Sequence, residues 1–222
     1  MRAVIFDCDG VLVDSEPLAL EVMMAELDDL GLGLSPGEIH ARFTGRSLED
    51  CERQIRALAG PRRTRGFAAR FEQRLSAVFA ERLEPVPGAG EVLKTLRAAR
   101  MPVAVASSGS HAKIRGSLRR TGLAGHFPPG RVFSAADVAA GKPAPDLFLL
   151  AARSLAVDPR DCLVVEDSTP GLAAAVAAGM RVVALRRPGT PEVTVPAGAV
   201  VIQHLGALAE WLVEPGAEDR QM

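Results

Sequence analysis

The rhythm of apolar and polar positions changes twice along the chain. Ala3 to Phe6 form an apolar, partly β-branched run that predicts a buried strand, and this strand delivers Asp7 and Asp9 to a glycine turn. From Ser15 to about Glu84 the apolar residues recur every three or four positions. "EPLALEVMMAELDDLG" predicts a helix ending at Gly31, and "SPGEIHARF" one that starts with Ser35 as N-cap and Pro36 at its first position. "SLEDCERQIRALAG" places Ser47 three residues ahead of Asp50, close to capping-box spacing, and "RGFAARFEQRLSAVFAERL" completes a helical insert of four elements.

After "EPVPGAG" short β-rich runs alternate with helical periods: "VAVASS", "HAKIRGSLRRTG", "RVFS", "PDLFLLAARSLA", "CLVVED", "GLAAAVAAGM", "RVVAL", "AVVIQHL" and a last helix through Trp211. That alternation predicts a parallel sheet with helices on both faces. The isolated first strand belongs to this later sheet. The predicted architecture is therefore α/β, a doubly wound parallel-sheet core of residues 1–15 and 86–222 with a helical cap of residues 16–85 inserted after the first strand. Hinges are expected near Asp14 to Pro17 and Leu83 to Pro87, and the polar stretch from Glu214 onward is expected to fray.

With 222 residues, 48% of them hydrophobic, the chain can bury one substantial core plus a smaller unit. A formal charge of −1, without a basic block, gives no reason to expect a nucleic acid or a membrane surface as partner, so small molecules are expected. Cys8, Cys51 and Cys162 lie far apart, an odd count unsuited to a disulfide framework, which points to a reducing compartment. No charged-then-apolar leader precedes the first strand and no run reaches the roughly 18 apolar residues of a membrane span. A cytoplasmic monomer is the expectation. Lysine occurs only at 94, 113 and 142 in an arginine-rich chain.

Ligands of open α/β sheets bind beyond the carboxyl ends of the strands. The residues there are Asp7 and Asp9 after the first strand, Ser107, Ser108 and Gly109 after "VAVA", Lys142 ahead of a proline-started helix, and Glu166 and Asp167 after "CLVV". Two carboxylates one residue apart need a positive neighbour, either a hard divalent cation or a lysine. The whole set reads as a metal and phosphate site. Four carboxylates suit an octahedral cation such as Mg²⁺, and the helix N-terminus with Lys142 suits an anion. Cys8, by strand alternation, faces away into the core, Gly171 reads as a close helix contact, and His111 as a surface residue.

In this order, D-x-D-G-V-L-V-D-S-E, the "ASS" strand end, G-K-P-x-P-D and V-V-E-D-S-x-x-G resemble the haloacid dehalogenase (HAD) superfamily over nearly the whole chain. The similarity is to its helical-cap branch of β-phosphoglucomutases, phosphoglycolate phosphatases and sugar-phosphate phosphatases, with a Rossmann-like core. The resemblance implies a phosphoric monoester hydrolase working through an aspartyl phosphate. Asp7 would be the nucleophile and Asp9 the acid and base; Ser107, with the N–H groups of Ser108 and Gly109, would hold phosphoryl oxygens, and Lys142 would tie them to Asp7. Mg²⁺ would be bound by Asp7, the Asp9 carbonyl and Asp167, with Glu166 contacting it directly or through water.

Dehalogenases of this superfamily lack the second aspartate, and phosphonatases need a cap lysine, which the segment from Ser15 to Pro85 does not contain. The mutases that the chain resembles carry a cap histidine where this chain has Ala19 and an arginine where it has Leu48. A Mg²⁺-dependent phosphatase acting on a sugar phosphate or sugar-acid phosphate, such as 6-phosphogluconate, is thus expected ahead of a hexose phosphomutase or a non-catalytic small-molecule-binding regulator. Thr44, Gly45 and Arg46, in a cap loop that reaches the active site in this branch, are the expected specificity residues.

Overall fold

The computed structural model describes residues 1–43, 48–190 and 192–208. The chain separates into two compact units, one of Met1–Asp14 with the chain from Glu84 onward, the other of Ser15–Leu83. Among the described residues the first unit carries six parallel strands: β1 (Ala3–Phe6), β2 (Val103–Ser107), β3 (Val132–Ser134), β4 (Cys162–Glu166), β5 (Arg181–Leu185) and β6 (Val200–Ile202). Their spatial order is β3-β2-β1-β4-β5-β6. β1 lies in register between β2 and β4, with Val4 opposite Val103 on one side and Leu163 on the other. The order reverses at β1, so the crevice beyond its carboxyl end is the place where a doubly wound sheet binds its ligand.

Every residue of β1 and of β4 is buried, the signature of strands covered on both faces. Ala3, Ile5, Val164 and Ala184 share one apolar cluster with Leu147, Phe148 and Leu172. Each buried large side chain there stabilises the fold by about 1.5–3 kcal/mol. α6 (His111–Arg120), α7 (Asp146–Leu155) and α8 (Thr169–Ala177) follow β2, β3 and β4, and Ser110 and Ser168 cap the first and last of them through their hydroxyls.

The second unit holds α1 (Glu16–Asp29), α2 (Pro36–Phe43), α3 (Leu48–Ala59) and α4 (Phe67–Arg82), the four helices predicted. Ser35 caps α2 by a reciprocal exchange, its Oγ accepting from the Glu38 N–H at 3.3 Å while Glu38 Oε2 accepts from the Ser35 N–H at 2.9 Å. Val22, Leu27, Ile39, Ile55 and Phe67 form a separate apolar core. Buried Glu26 is neutralised within it by Arg74 at 3.1 Å and Arg70 at 3.4 Å.

α5 (Ala89–Ala98) is an element that strand-and-helix alternation alone does not announce. It follows the left-handed Gly88 and buries Val92, Leu93 and Leu96 along one stripe, a helical period lying ahead of β2. Residues 205–208 begin a helix after β6; Ser47, Trp211 and the tail from Glu214 lie outside the described residues. No helix among the described residues is long and apolar enough to cross a membrane.

Candidate active site

β1 ends by placing Asp7 over the sheet, where its N–H donates to the Val165 carbonyl of β4 at 3.0 Å. Lys142, in the loop ahead of α7, is nearly buried with its ammonium between two carboxylates. It donates to Asp7 Oδ1 and to Glu166 Oε1, each at 2.6 Å, with side-chain exposures of 3% for the lysine, 10% for Asp7 and 1% for Glu166. Its Nζ also sits 4.9 Å from the centre of the Phe148 ring. Two carboxylates face one lysine in a dry site, which leaves an excess negative charge.

The titration of Asp7 reflects that imbalance. Burial, the largest influence, with Glu166 and Asp9 adding to it and Lys142 opposing, pushes its carboxyl up to about 7. Burial works against the charge on Lys142, yet Asp7 and Glu166 overcome it and hold the ammonium above the usual lysine range. Cys8, between the aspartates, is buried, and burial followed by Asp9 and Asp7 pushes its thiol well up, so it is core and no nucleophile.

Glu166, expected to contact the metal directly or through water, is also part of a hydrogen-bond network. Oε1 is taken by Lys142, and Oε2 accepts from the Asp167 N–H at 2.8 Å, the Ser168 N–H at 2.8 Å and the Ser168 hydroxyl at 2.9 Å. Through Oε1, Glu166 is a counterion of Lys142, and through Oε2 it ties down the turn after β4. Asp167 lies against the turn after β1: a Cβ on Gly10 would run into its carboxylate, and Gly10 has φ +75°.

Among the described residues no three His, Cys, Asp or Glu side chains form a ready metal cage. The donors nevertheless fit Mg²⁺, which keeps several waters and takes one or two carboxylates from its protein. Asp7 and Asp167 could supply carboxylates and Asp9 a main-chain carbonyl, and the two buried carboxylates that face one lysine are a charge that a cation would balance.

On the other side of β1, Ser107 is buried at the end of β2 and its Oγ accepts from the Gly109 N–H at 3.2 Å. The turn is fixed from behind by Ser134, whose hydroxyl donates to the Gly109 carbonyl at 2.7 Å. Ser108 is exposed at the tip. Ser107, Ser108 and Gly109 thus lead into the N-terminus of α6, an arrangement suited to an anion. His111, the first residue of α6, is partly exposed and bonds through Nε2 to Asp137 Oδ1 at 2.8 Å. Thr44, Gly45 and Arg46, the expected specificity residues, lie outside the described residues.

One participant is not visible in the motifs. Lys113, on the first turn of α6, reaches back to Asp9 and donates to its Oδ2 at 2.7 Å. Its rarity in an arginine-rich chain is the signal that sequence offers. Gly171, the last residue of V-V-E-D-S-x-x-G, does more than pack a helix: a Cβ there would collide with the Glu166 carboxylate, so this glycine makes room for the counterion as well. Gly171→Ala tests that directly. Helix propensity alone would favour alanine by roughly 1 kcal/mol, whereas overpacking costs about 1–3 kcal/mol. The expected result in denaturant melts is a net loss of stability, with turnover reduced because Glu166 is pushed off Lys142; a more stable, fully active variant would show that the carboxylate moves aside freely.

A family model for haloacid dehalogenase-like hydrolases matches residues 1–179. The chain is 31% identical over 183 residues to 6-phosphogluconate phosphatase of Escherichia coli (strain K12), covering 82% of this chain and 81% of that protein. It is 35% identical over 190 residues to hexitol phosphatase A of the same organism, covering 84% of each. Among solved structures, a HAD family hydrolase from Deinococcus radiodurans R1 with bound phosphate and sodium superposes with a TM-score of 0.82 at 32% identity, covering 98% of this chain and 97% of that one.

Proposed function

The chain belongs to the haloacid dehalogenase-like hydrolases, and from that premise we propose that it hydrolyses a small phosphomonoester, a sugar or sugar-acid phosphate, through an aspartyl phosphate on Asp7. The observation that carries this reading is the buried Lys142 held between Asp7 and Glu166 at the switch point of the sheet. It orients one carboxylate as a nucleophile while a second aspartate stands two residues on. The similarity to 6-phosphogluconate phosphatase and hexitol phosphatase A supports phosphatase chemistry and a polyhydroxylated leaving group.

In the first step a carboxylate oxygen of Asp7 bonds to phosphorus as the bond to the leaving oxygen breaks, and that oxygen takes a proton from Asp9. In the second, a water oxygen bonds to phosphorus, the Asp7 bond to phosphorus breaks, and Asp9 takes the proton from the water. Ser107 and the N–H of Ser108 hold phosphoryl oxygens at the N-terminus of α6, whereas the Gly109 N–H, expected to join them, donates to Ser107 Oγ; Lys142 keeps Asp7 aimed. Phosphatases of this superfamily generally use Mg²⁺. When bound, by Asp7, the Asp9 carbonyl and Asp167, the cation would offset phosphoryl charge.

The test is phosphate release from a panel of sugar and sugar-acid phosphates. Release is expected with Mg²⁺, is expected to vanish with EDTA, and should return with Mg²⁺ better than with the larger Ca²⁺. Undiminished rates after exhaustive chelation would remove the metal from the reading. Failure to release phosphate from any phosphomonoester would remove the phosphatase itself.

A further inference from the structure

Asp9 is held from an element that none of the sequence motifs includes. Lys113 is the third residue of α6, and its N–H donates to the capping Ser110 Oγ at 3.3 Å. From there its side chain turns back toward the helix N-terminus, as long helical side chains do. Gly109 lets it pass: a Cβ on that glycine would stand 3.3 Å from Lys113 Cδ and 3.6 Å from Ser107 Oγ, tighter than ordinary packing against the lysine stem. The ammonium then meets Asp9 Oδ2 at 2.7 Å. The other oxygen, Asp9 Oδ1, is buried without a hydrogen-bond partner among the described residues. An oxygen in that condition is costly unless something arrives to use it.

We propose that Lys113 is the positioning residue for Asp9: by holding Oδ2 it fixes the carboxyl group so that Oδ1 is the atom that gives a proton to the leaving oxygen and takes one from the attacking water. The inference rests on the phosphatase reading above. The lysine itself forms and breaks no bond to phosphorus. It restricts Asp9 to one orientation, and misplacement of a reacting group by about 1 Å can cost 10²-fold in rate. The route of the lysine stem across Gly109 also joins the turn that faces the phosphoryl oxygens to the residue that moves the proton, so the two are set by one side chain.

The test compares wild type, Lys113→Met, Lys113→Arg, Asp9→Asn and the double variant Lys113→Met/Asp9→Asn, using a substrate found in the panel and Mg²⁺. Lys113→Met is expected to lower kcat about 10- to 100-fold with KM and inhibition by inorganic phosphate unchanged. Lys113→Arg should recover part of the loss. In the Asp9→Asn background removal of Lys113 should cost less than about 2-fold, because residues acting through one group do not add. A raised KM with unchanged kcat would make Lys113 a substrate ligand and overturn the proposal. So would an additive loss in the double variant, or a full-rate Lys113→Met beside a slow Asp9→Asn. A full-rate Asp9→Asn would instead overturn the underlying reading, and the inference with it. Thermal melts establish that each variant is folded; should Lys113→Met not fold, Lys113→Gln carries the same comparison.

Discussion

Replacing Asp7 with asparagine should leave no measurable phosphate release from any substrate that the wild type accepts, and no phosphorylated protein after rapid quenching with labelled substrate. An amide nitrogen or oxygen in that position cannot give the acyl phosphate through which both steps pass. The fold should survive, because the amide oxygen can still accept from Lys142 and Glu166 still balances the lysine. Stability adds a second readout. Burial, with Glu166 and Asp9, raises the Asp7 carboxyl from 3.8 to about 7 in the folded protein. Between those values the folded chain holds a proton that the unfolded chain has released, so metal-free wild-type stability is full below about pH 4 and falls as pH rises through 7. The asparagine variant would have no such fall. The Tm of Asp7→Asn relative to wild type, both in EDTA, is therefore expected to increase from pH 5 to pH 8. Residual turnover above background would assign the nucleophile elsewhere, and a pH-independent difference in Tm would mean that the carboxyl carries its charge at no cost.

The main parts of this site could be read in the sequence because they sit where strands end. A β-branched run stopping at Asp7, another stopping at Glu166 and Asp167, and a serine opening a helix after β2 are local patterns, and a parallel sheet aligns all such ends on one edge. Lys142 was legible by its place in a short motif. Which charge satisfies which was not. Glu166 and Asp167 are adjacent in the chain, yet one bonds Lys142 and two backbone N–H groups while the other rests against Gly10. Strand alternation separates their faces but does not assign partners. Lys113 lies 104 residues from Asp9 and belongs to a helix whose surface face looks ordinary by period, so only the approach of the Lys113 side chain to the turn after β1 in the folded chain reveals the pair. Gly171 has an unexceptional helical backbone, and its necessity comes from a carboxylate that arrives from β4. In α5 a plain amphipathic stripe was hidden by proximity to the change of rhythm at "EPVPGAG".

Lys142→Met should damage both stability and turnover, and the pH at which it is measured decides why. Methionine keeps much of the stem and its packing near Phe148, so what disappears is the positive charge at 2.6 Å from two buried oxygens. Breaking a buried ion pair from one side costs about 3–5 kcal/mol, which for a chain of this size corresponds to a Tm lower by roughly 6–20 °C. In the wild type the lysine is held above its usual range by Asp7 and Glu166, so its own positive charge is present below about pH 10 and throughout the neutral range. In the variant the two carboxylates are left facing each other and can lower the penalty by binding a proton. The deficit in Tm should accordingly be larger at pH 8 than at pH 5. Turnover should fall by at least about 10²-fold, the usual loss when one charged donor is removed from a preorganised site. Lys142→Arg should not restore it, because a planar guanidinium cannot occupy the position of a compact ammonium between Asp7 and Glu166. If the Tm deficit is the same at both pH values, the lysine stabilises through its stem rather than its charge. If turnover is retained, Asp7 finds its orientation without the lysine, and the buried triad is a feature of the fold alone.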